Sequence, residues 1–278
     1  MAKHEEVPMS IRASFQTHFG IILAVVLCSA IPGIAQDDVA DVKSQDLRAA
    51  GNEHQRYFLI GPKETGTSPM GGYRLLLVLP GGDGGADFHA FVKRIFKNAL
   101  SDNYLVAQPV SIEWTPGQFE KLVWPTKKSK WSGMKFTTEE FTEAVIEDVK
   151  KKYKVNPDYV FLLGWSSGGT ACYSIALQEH TQTTGAFIAM SVFKPTNYPS
   201  LKNAEGRAFY ILHSPEDFIP IKMAVKAQKR LSEKGAAAEL ARYSGGHGWR
   251  GDVYGNIRKG IEWLEQHHRQ GKPPREKP

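Results

Sequence analysis

Cysteine is scarce in this chain of 278 residues, which carries only Cys28 and Cys172. Two cysteines cannot form the disulfide framework of many small secreted domains, and they cannot form a cysteine-rich metal site. Long apolar runs are also missing. The longest, residues 19–31, spans 13 residues, whereas a helix that crosses a bilayer needs roughly 20. The run is therefore too short for an ordinary membrane-spanning helix.

The same apolar run has the features of a secretory signal peptide. Lys3 and Arg12 precede it, its length falls within the usual range of about 7–15 residues, and a helix-breaking Pro-Gly pair follows it. Small residues at Gly33 and Ala35 predict cleavage after Ala35, so that residues 1–35 are removed and the protein is exported without a stable membrane anchor. The alternative is an uncleaved N-terminal anchor.

Repeats and nucleic-acid-binding motifs are likewise absent from the sequence. No solenoid or propeller period is visible, and no helix-turn-helix, zinc-finger or RNP-like pattern occurs. Lys and Arg number 35 against 29 Asp and Glu, and the resulting net charge of +6 permits an anionic partner without requiring one. We therefore expect no nucleic-acid partner.

What the sequence does contain is a regular alternation of apolar runs with amphipathic segments. Strand-like runs occur at residues 57–60, 73–79, 104–109, 159–164, 185–192, 207–213 and 237–243. Helical spacing fills most of the intervals, and the polar stretch 37–52 is also compatible with a helix. The alternation predicts an α/β domain over residues 36–270, built on a parallel sheet with helices on both faces, and a basic, proline-rich tail at 271–278.

A G-x-S-x-G motif, GWSSG at residues 164–168, lies between a strand-like run and a helical segment. This is the context of a nucleophile elbow, a tight turn in which small neighbours leave an exposed serine accessible. The free N–H groups at the helix start add positive partial charge beside Ser166. We interpret Ser166 as a nucleophile, and the alternative is an ordinary β-to-α turn.

A serine nucleophile needs a base, and the base needs an acid that orients it. His247 lies in the segment GGHGW (245–249) after the last strand-like run, and Asp217 lies in HSPEDFIP (213–220) after the preceding one. Glu216 is the rival acid. The structural alternatives are a solvated loop histidine and a helix-capping aspartate.

The glycine-rich segment PGGDGG (80–85) follows another strand-like run. Backbone N–H groups of such a loop, together with that of Ser167, would stabilise an oxyanion. Gly82 is the preferred loop donor and Asp83 is its rival. Dinucleotide binding is the competing interpretation, but Asp87 stands where G-x-G-x-x-G requires its last glycine. We therefore do not expect a dinucleotide cofactor, and we expect no metal site.

The motifs LPGGDGG, GWSSGG, HSPEDFIP and GGHGW resemble those of the α/β-hydrolase superfamily. The similarity is greatest to small secreted esterases of the phospholipase/carboxylesterase, dienelactone-hydrolase-like and polyhydroxybutyrate-depolymerase or feruloyl-esterase-like branches, and it covers about residues 56–266. The resemblance implies an eight-stranded, mostly parallel sheet and cofactor-free hydrolysis by a triad of Ser166, Asp217 and His247. The chain order of these three residues is that of the superfamily.

Two departures keep alternatives open. Many relatives have histidine where Pro80 stands, which leaves Asp83 beside Gly82 as an oxyanion donor. The spacing from Asp217 to Pro220 is one residue shorter than the frequent family pattern, which leaves Glu216 as a candidate acid.

We therefore expect an exported serine hydrolase acting on a small-molecule or polymer-linked carboxylic ester. Export follows from the pattern of residues 1–35, and the resemblance implies the hydrolase chemistry. A serine peptidase on the same fold and a non-catalytic binding protein are the alternatives.

Residues 111–135 have little periodicity and predict a long surface excursion. Its aromatic residues either form a rim around a substrate or hold the excursion on the core; they are Trp114, Phe119, Trp124 and Trp131.

Expression of the whole chain in a secreting host should yield an exported protein that begins at Gln36, because cleavage is predicted after Ala35. The intact mass of the exported protein measures this directly. A full-length mass recovered with the membrane fraction would instead identify the segment as a retained anchor.

Overall fold

The computed structural model describes residues 36–63 and 68–268. The predicted signal peptide and the predicted basic tail lie outside these residues, as does the end of the predicted domain. Within the described ranges, no helix combines the length and the apolar character needed to cross a membrane.

The described residues form an eight-stranded sheet. The strands are β1 (Ser44–Arg48), β2 (Arg56–Ile60), β3 (Tyr73–Leu79), β4 (Tyr104–Pro109), β5 (Val155–Trp165), β6 (Gly185–Ala189), β7 (Ala208–His213) and β8 (Ala237–Arg242). Their order is β1-β2-β4-β3-β5-β6-β7-β8. β2 pairs antiparallel with β1 and with β4, and all other neighbouring pairs are parallel. The expected eight-stranded, mostly parallel sheet is confirmed.

The central strands are apolar on both sides because both sides are covered. In β3, Leu75, Leu77 and Leu79 enter one buried cluster, while Leu76 and Val78 enter the cluster on the opposite face. Successive side chains of a strand point to opposite faces, so a doubly covered strand needs a continuous apolar run. The run YRLLLVL satisfies this requirement.

Within the part of the chain that the structure describes, five α-helices cover the two faces of the sheet. They are α1 (His89–Ala99), α2 (Thr138–Lys152), α3 (Ser167–Ala176), α4 (Lys222–Ser232) and α5 (Val253–His267). α1 and α5 bury residues such as Ile95 and Ile261 against one face. α2, α3 and α4 bury residues such as Val145, Ile175 and Leu231 against the other. The sheet is therefore enclosed between two helical layers, as expected.

The expectation of a helix over residues 37–52 is wrong where β1 lies. β1 has the sequence SQDLR, and its first three residues are exposed. It pairs on one side only, with β2, at the edge of the sheet. An edge strand with little burial lacks the apolar alternation by which strands are recognised, so the sequence carried no strand signal there.

Helix α5 approaches the sheet closely at Gly260. A Cβ atom at this position would overlap the ring of Phe187 on β6 and lie 2.6 Å from the ring of Tyr210 on β7. The absent side chain therefore lets the helix lie directly on two strands. This contact holds α5, which begins at Val253, shortly after His247.

We expect Gly260→Ala to lower the free energy of unfolding by about 1–3 kcal/mol, because the methyl group overpacks the contact. This loss would outweigh the roughly 1 kcal/mol that alanine gains over glycine in a helix. Urea unfolding measures the change. Lys259→Ala, on the exposed side of the same helix, is the matched control and should stay within about 0.5 kcal/mol. An unchanged midpoint for Gly260→Ala would mean that α5 can shift away from the sheet.

Candidate active site

Ser166 occupies a tight turn between β5 and α3. Its backbone lies at φ 52° and ψ −120°, a left-handed value of φ that is unusual for a residue other than glycine. Close packing on both sides holds the turn. A Cβ atom at Gly168 would overlap the Leu79 carbonyl oxygen, and one at Gly164 would lie 2.5 Å from Cys172 Sγ. The turn therefore has the compact geometry that a nucleophile elbow requires.

The structure brings Ser166, His247 and Asp217 together in one line of hydrogen bonds. His247 Nε2 lies 3.2 Å from Ser166 Oγ. His247 Nδ1 lies 2.9 Å from Asp217 Oδ2 and 3.0 Å from Oδ1. With Nδ1–H donating to the carboxylate, Nε2 is left as the acceptor that faces the serine hydroxyl. The arrangement is one in which a histidine can take a proton from a serine.

The Asp217 side chain is fully buried, and its orientation is fixed by its own loop. Its Oδ1 accepts a hydrogen bond from the Ile219 N–H at 2.7 Å, and its backbone N–H donates to the Ser214 carbonyl at 3.2 Å. A buried carboxylate needs such partners, because an unpaired one would be costly. Asp217 is thus presented to the imidazole in a single geometry.

Glu216 serves a different part of the loop from its neighbour Asp217. Its carboxylate accepts hydrogen bonds from the Gly245 N–H and, at 3.2 Å, from the Ser214 hydroxyl. The first contact holds backbone near His247, the second is to a side chain of its own loop, and neither involves the imidazole. The geometry therefore favours Asp217 over Glu216 as the orienting acid.

Three further contacts hold the loop of residues 245–249, called the histidine loop below. No sequence motif indicated them. The Gly246 N–H donates to Ser214 Oγ at 3.2 Å, and the Tyr243 hydroxyl donates to the Gly246 carbonyl at 2.9 Å. The Gly248 N–H donates to Met190 Sδ at 3.1 Å. Burial, and next the Asp217 carboxylate, raises the pKa of the Tyr243 phenol, which therefore remains a donor at neutral pH.

For Met190 and Ser214 the sequence offered a single signal, which was their position directly after a strand. Met190 directly follows β6, and Ser214 directly follows β7, so both lie at the carboxyl edge of the sheet with Ser166. That edge is where side chains from different parallel strands meet. Their residue types carry no motif.

The glycine-rich loop lies against the start of α3. The Ser167 hydroxyl donates to the Gly82 carbonyl at 3.0 Å, and Gly82 itself has φ 59°. The N–H of Ser167 stands in the first turn of α3, where helix geometry provides no acceptor. The neighbouring Asp83 uses its carboxylate to accept the Gly85 N–H at 2.9 Å. Gly82 and Ser167 are thus adjacent, as the oxyanion hypothesis requires.

The long excursion over residues 111–135 is hydrogen-bonded to the glycine-rich loop of residues 80–85. Trp124 is buried, and its indole N–H donates to the Pro80 carbonyl at 3.0 Å. The Ser111 hydroxyl donates to the Asp83 carbonyl. At Trp124 the structure therefore favours attachment to the core over a substrate rim.

Cys172 lies beneath the elbow as a packing residue. It is fully buried on α3, and burial raises the pKa of its thiol, so the thiol stays protonated. Among the residues the structure describes, no group of three or more His, Cys, Asp or Glu side chains is arranged to hold a metal ion.

No model of a known protein family matches the chain, and no curated protein matches it. Many solved structures do. An α/β-hydrolase enzyme, MGS-M1, from a deep-sea metagenome library is 12% identical, with a TM-score of 0.59 over 82% of this chain and 98% of that one. A thermostable esterase from Pseudomonas putida is 14% identical, with a TM-score of 0.60 over 84% and 85%. A carboxylesterase from Mesorhizobium loti is 15% identical, with a TM-score of 0.57 over 80% and 98%.

At these identities the likeness concerns the fold. The protein has the α/β-hydrolase fold, and Ser166, Asp217 and His247 lie just after the carboxyl ends of β5, β7 and β8.

We expect Asp217→Asn to slow labelling of Ser166 by a fluorophosphonate by about 10³–10⁴-fold, because an amide leaves the imidazole in the wrong tautomer. Glu216→Gln is the matched control, since it removes the adjacent carboxylate but keeps an oxygen that can accept the Gly245 N–H. Its labelling rate should fall by less than about tenfold. The second-order labelling rate measures both, and a larger loss in Glu216→Gln would reverse the assignment of the acid.

Proposed function

We propose that this protein is an exported serine esterase that hydrolyses carboxylic esters through an acyl-enzyme. The observation that carries the proposal is the continuous hydrogen bonding from Asp217 through His247 to Ser166. Similarity in fold to structures described as an esterase and a carboxylesterase supports it. Export is part of the proposal and rests on the pattern of residues 1–35.

In the first half of the reaction Ser166 Oγ attacks the ester carbonyl carbon while His247 Nε2 takes the hydroxyl proton. A serine hydroxyl is a weak nucleophile at neutral pH, and the adjacent base is what activates it. Asp217 holds the imidazole in the productive tautomer and stabilises the imidazolium that forms. The tetrahedral intermediate then carries one negative charge on the former carbonyl oxygen.

Hydrogen bonds donated by the backbone N–H groups of Ser167 and Gly82 would stabilise that charge, with Asp83 as the alternative loop donor. Donors fixed by a helix start and by a packed loop need no rearrangement when the charge develops, which is why such sites contribute strongly to catalysis. The Ser167–Gly82 hydrogen bond at 3.0 Å supports this pairing because it ties the two donor-bearing segments together.

In the second half the imidazolium of His247 gives its proton to the departing alkoxide oxygen, and the C–O bond of the ester breaks. The acyl group remains on Ser166 Oγ. A water molecule then attacks the acyl carbon while His247 takes a water proton, and His247 gives that proton to Ser166 Oγ as the acyl C–Oγ bond breaks and the acid is released. The substrate in this proposal is a small-molecule or polymer-linked ester.

Ser166→Ala should abolish hydrolysis of short p-nitrophenyl esters and labelling by a fluorophosphonate, because no nucleophile remains. Release of p-nitrophenol and fluorescence of the labelled band measure the two effects. Ser232→Ala, an exposed serine at the end of α4, is the matched control and should retain both. Full labelling of the Ser166→Ala variant would contradict the assignment of the nucleophile.

A further inference from the structure

Phe218, the residue after Asp217, places an exposed aromatic ring against His247. Its side chain is 68% exposed, and its ring centroid lies 4.4 Å from that of the imidazole, with the planes tilted by 40°. A single exposed apolar side chain is common on protein surfaces and indicates nothing by itself. The contact with His247 is what distinguishes this one.

The backbone on both sides of Phe218 is anchored. Asp217 precedes it and is tied to Ser214, and Ile219 follows it with its side chain buried. The Ile219 N–H donates to the Asp217 carboxylate at 2.7 Å, and its carbonyl lies 2.8 Å from His213 Nε2. The backbone that carries the ring is therefore fixed before any ligand arrives, which lowers the ordering cost for a ligand that contacts it.

The sheet order decides which part of an ester lies beside this ring. The loop with Gly82 follows β3, on one side of β5, while Phe218 and His247 follow β7 and β8, on the other side. Ser166 at the end of β5 lies between them. The carbonyl oxygen belongs on the Gly82 side, and the departing oxygen must reach His247 Nε2. The alcohol part of the ester is therefore the part next to Phe218.

We propose that Phe218 forms the binding surface for the alcohol part of the substrate, and that the enzyme prefers esters whose alcohol carries an aromatic or similarly flat apolar ring. The inference rests on the proposed esterase function and names its substrate class. One face of the Phe218 ring contacts the imidazole, while the side chain's large exposed area remains open to a ligand. Aromatic rings pair favourably in offset or edge-to-face geometry, which selects a ring over a short alkyl group.

The test compares kcat/KM for benzyl acetate and ethyl acetate. Both esters give the same acetyl-enzyme, so the ratio of their kcat/KM values reports the alcohol part alone. We expect Phe218→Ala to lower the benzyl-to-ethyl ratio by roughly 5–10-fold and Phe218→Trp to keep it. The ratio of ethyl butyrate to ethyl acetate, which varies only the acyl part, should not change in either variant.

Met70→Ala is the matched control, because Met70 is a 98% exposed apolar side chain in the loop before β3. It should leave both ratios unchanged. Thermal unfolding of each variant verifies that the exposed ring can be removed without loss of the fold.

Two results would overturn the proposal while leaving the esterase function standing. An equal fall in kcat for all esters, with a displaced pH profile, would mean that Phe218 only positions the imidazole. A change in the butyrate-to-acetate ratio would place the ring beside the acyl part. If the wild-type protein hydrolyses no ester and Ser166 is not labelled, the esterase function itself fails and the substrate assignment fails with it.

Discussion

The close contact between the start of α3 and the end of β3 is the constraint on which the site depends. Gly168 lies so near the Leu79 carbonyl oxygen that no side chain fits between them. The contact lies next to the turn in which Ser166 has its left-handed backbone, and the loop after β3 is hydrogen-bonded to Ser167. Because β3 and β5 are buried between two helical layers, Ser166 and the proposed oxyanion donors are held by the core itself.

The histidine is held in a different way. His247 lies in a loop with glycines on both sides, and four hydrogen bonds to backbone atoms of Gly245, Gly246 and Gly248 restrain that loop. The partners come from the segments after β6 and β7 and from Tyr243. The buried sheet thus carries Ser166, whereas a polar network positions His247, the proposed base.

The segment from Ser214 to Pro220 contacts both the imidazole of His247 and the backbone of the histidine loop. Within it the Asp217 carboxylate is hydrogen-bonded to the His247 imidazole, Glu216 and Ser214 accept N–H groups of the histidine loop, and the Phe218 ring lies beside His247. The buried His213 and Ile219 anchor its ends through one hydrogen bond. A short, well-fixed loop can therefore both orient a base and offer a surface to a ligand, since its backbone geometry is already determined.

Much of this architecture was readable from the sequence because the signals are local. Apolar runs such as YRLLLVL mark strands buried on both faces, and glycines around a serine mark a tight turn, so the fold and the three side chains of the candidate site followed from pattern and order. β1 was missed since an exposed edge strand needs no apolar alternation. Only the tertiary structure showed that Asp217 contacts the imidazole while Glu216 contacts Gly245, and only it revealed the contacts of Met190 and Phe218. These depend on distances between segments far apart in the chain, and no local pattern encodes such distances.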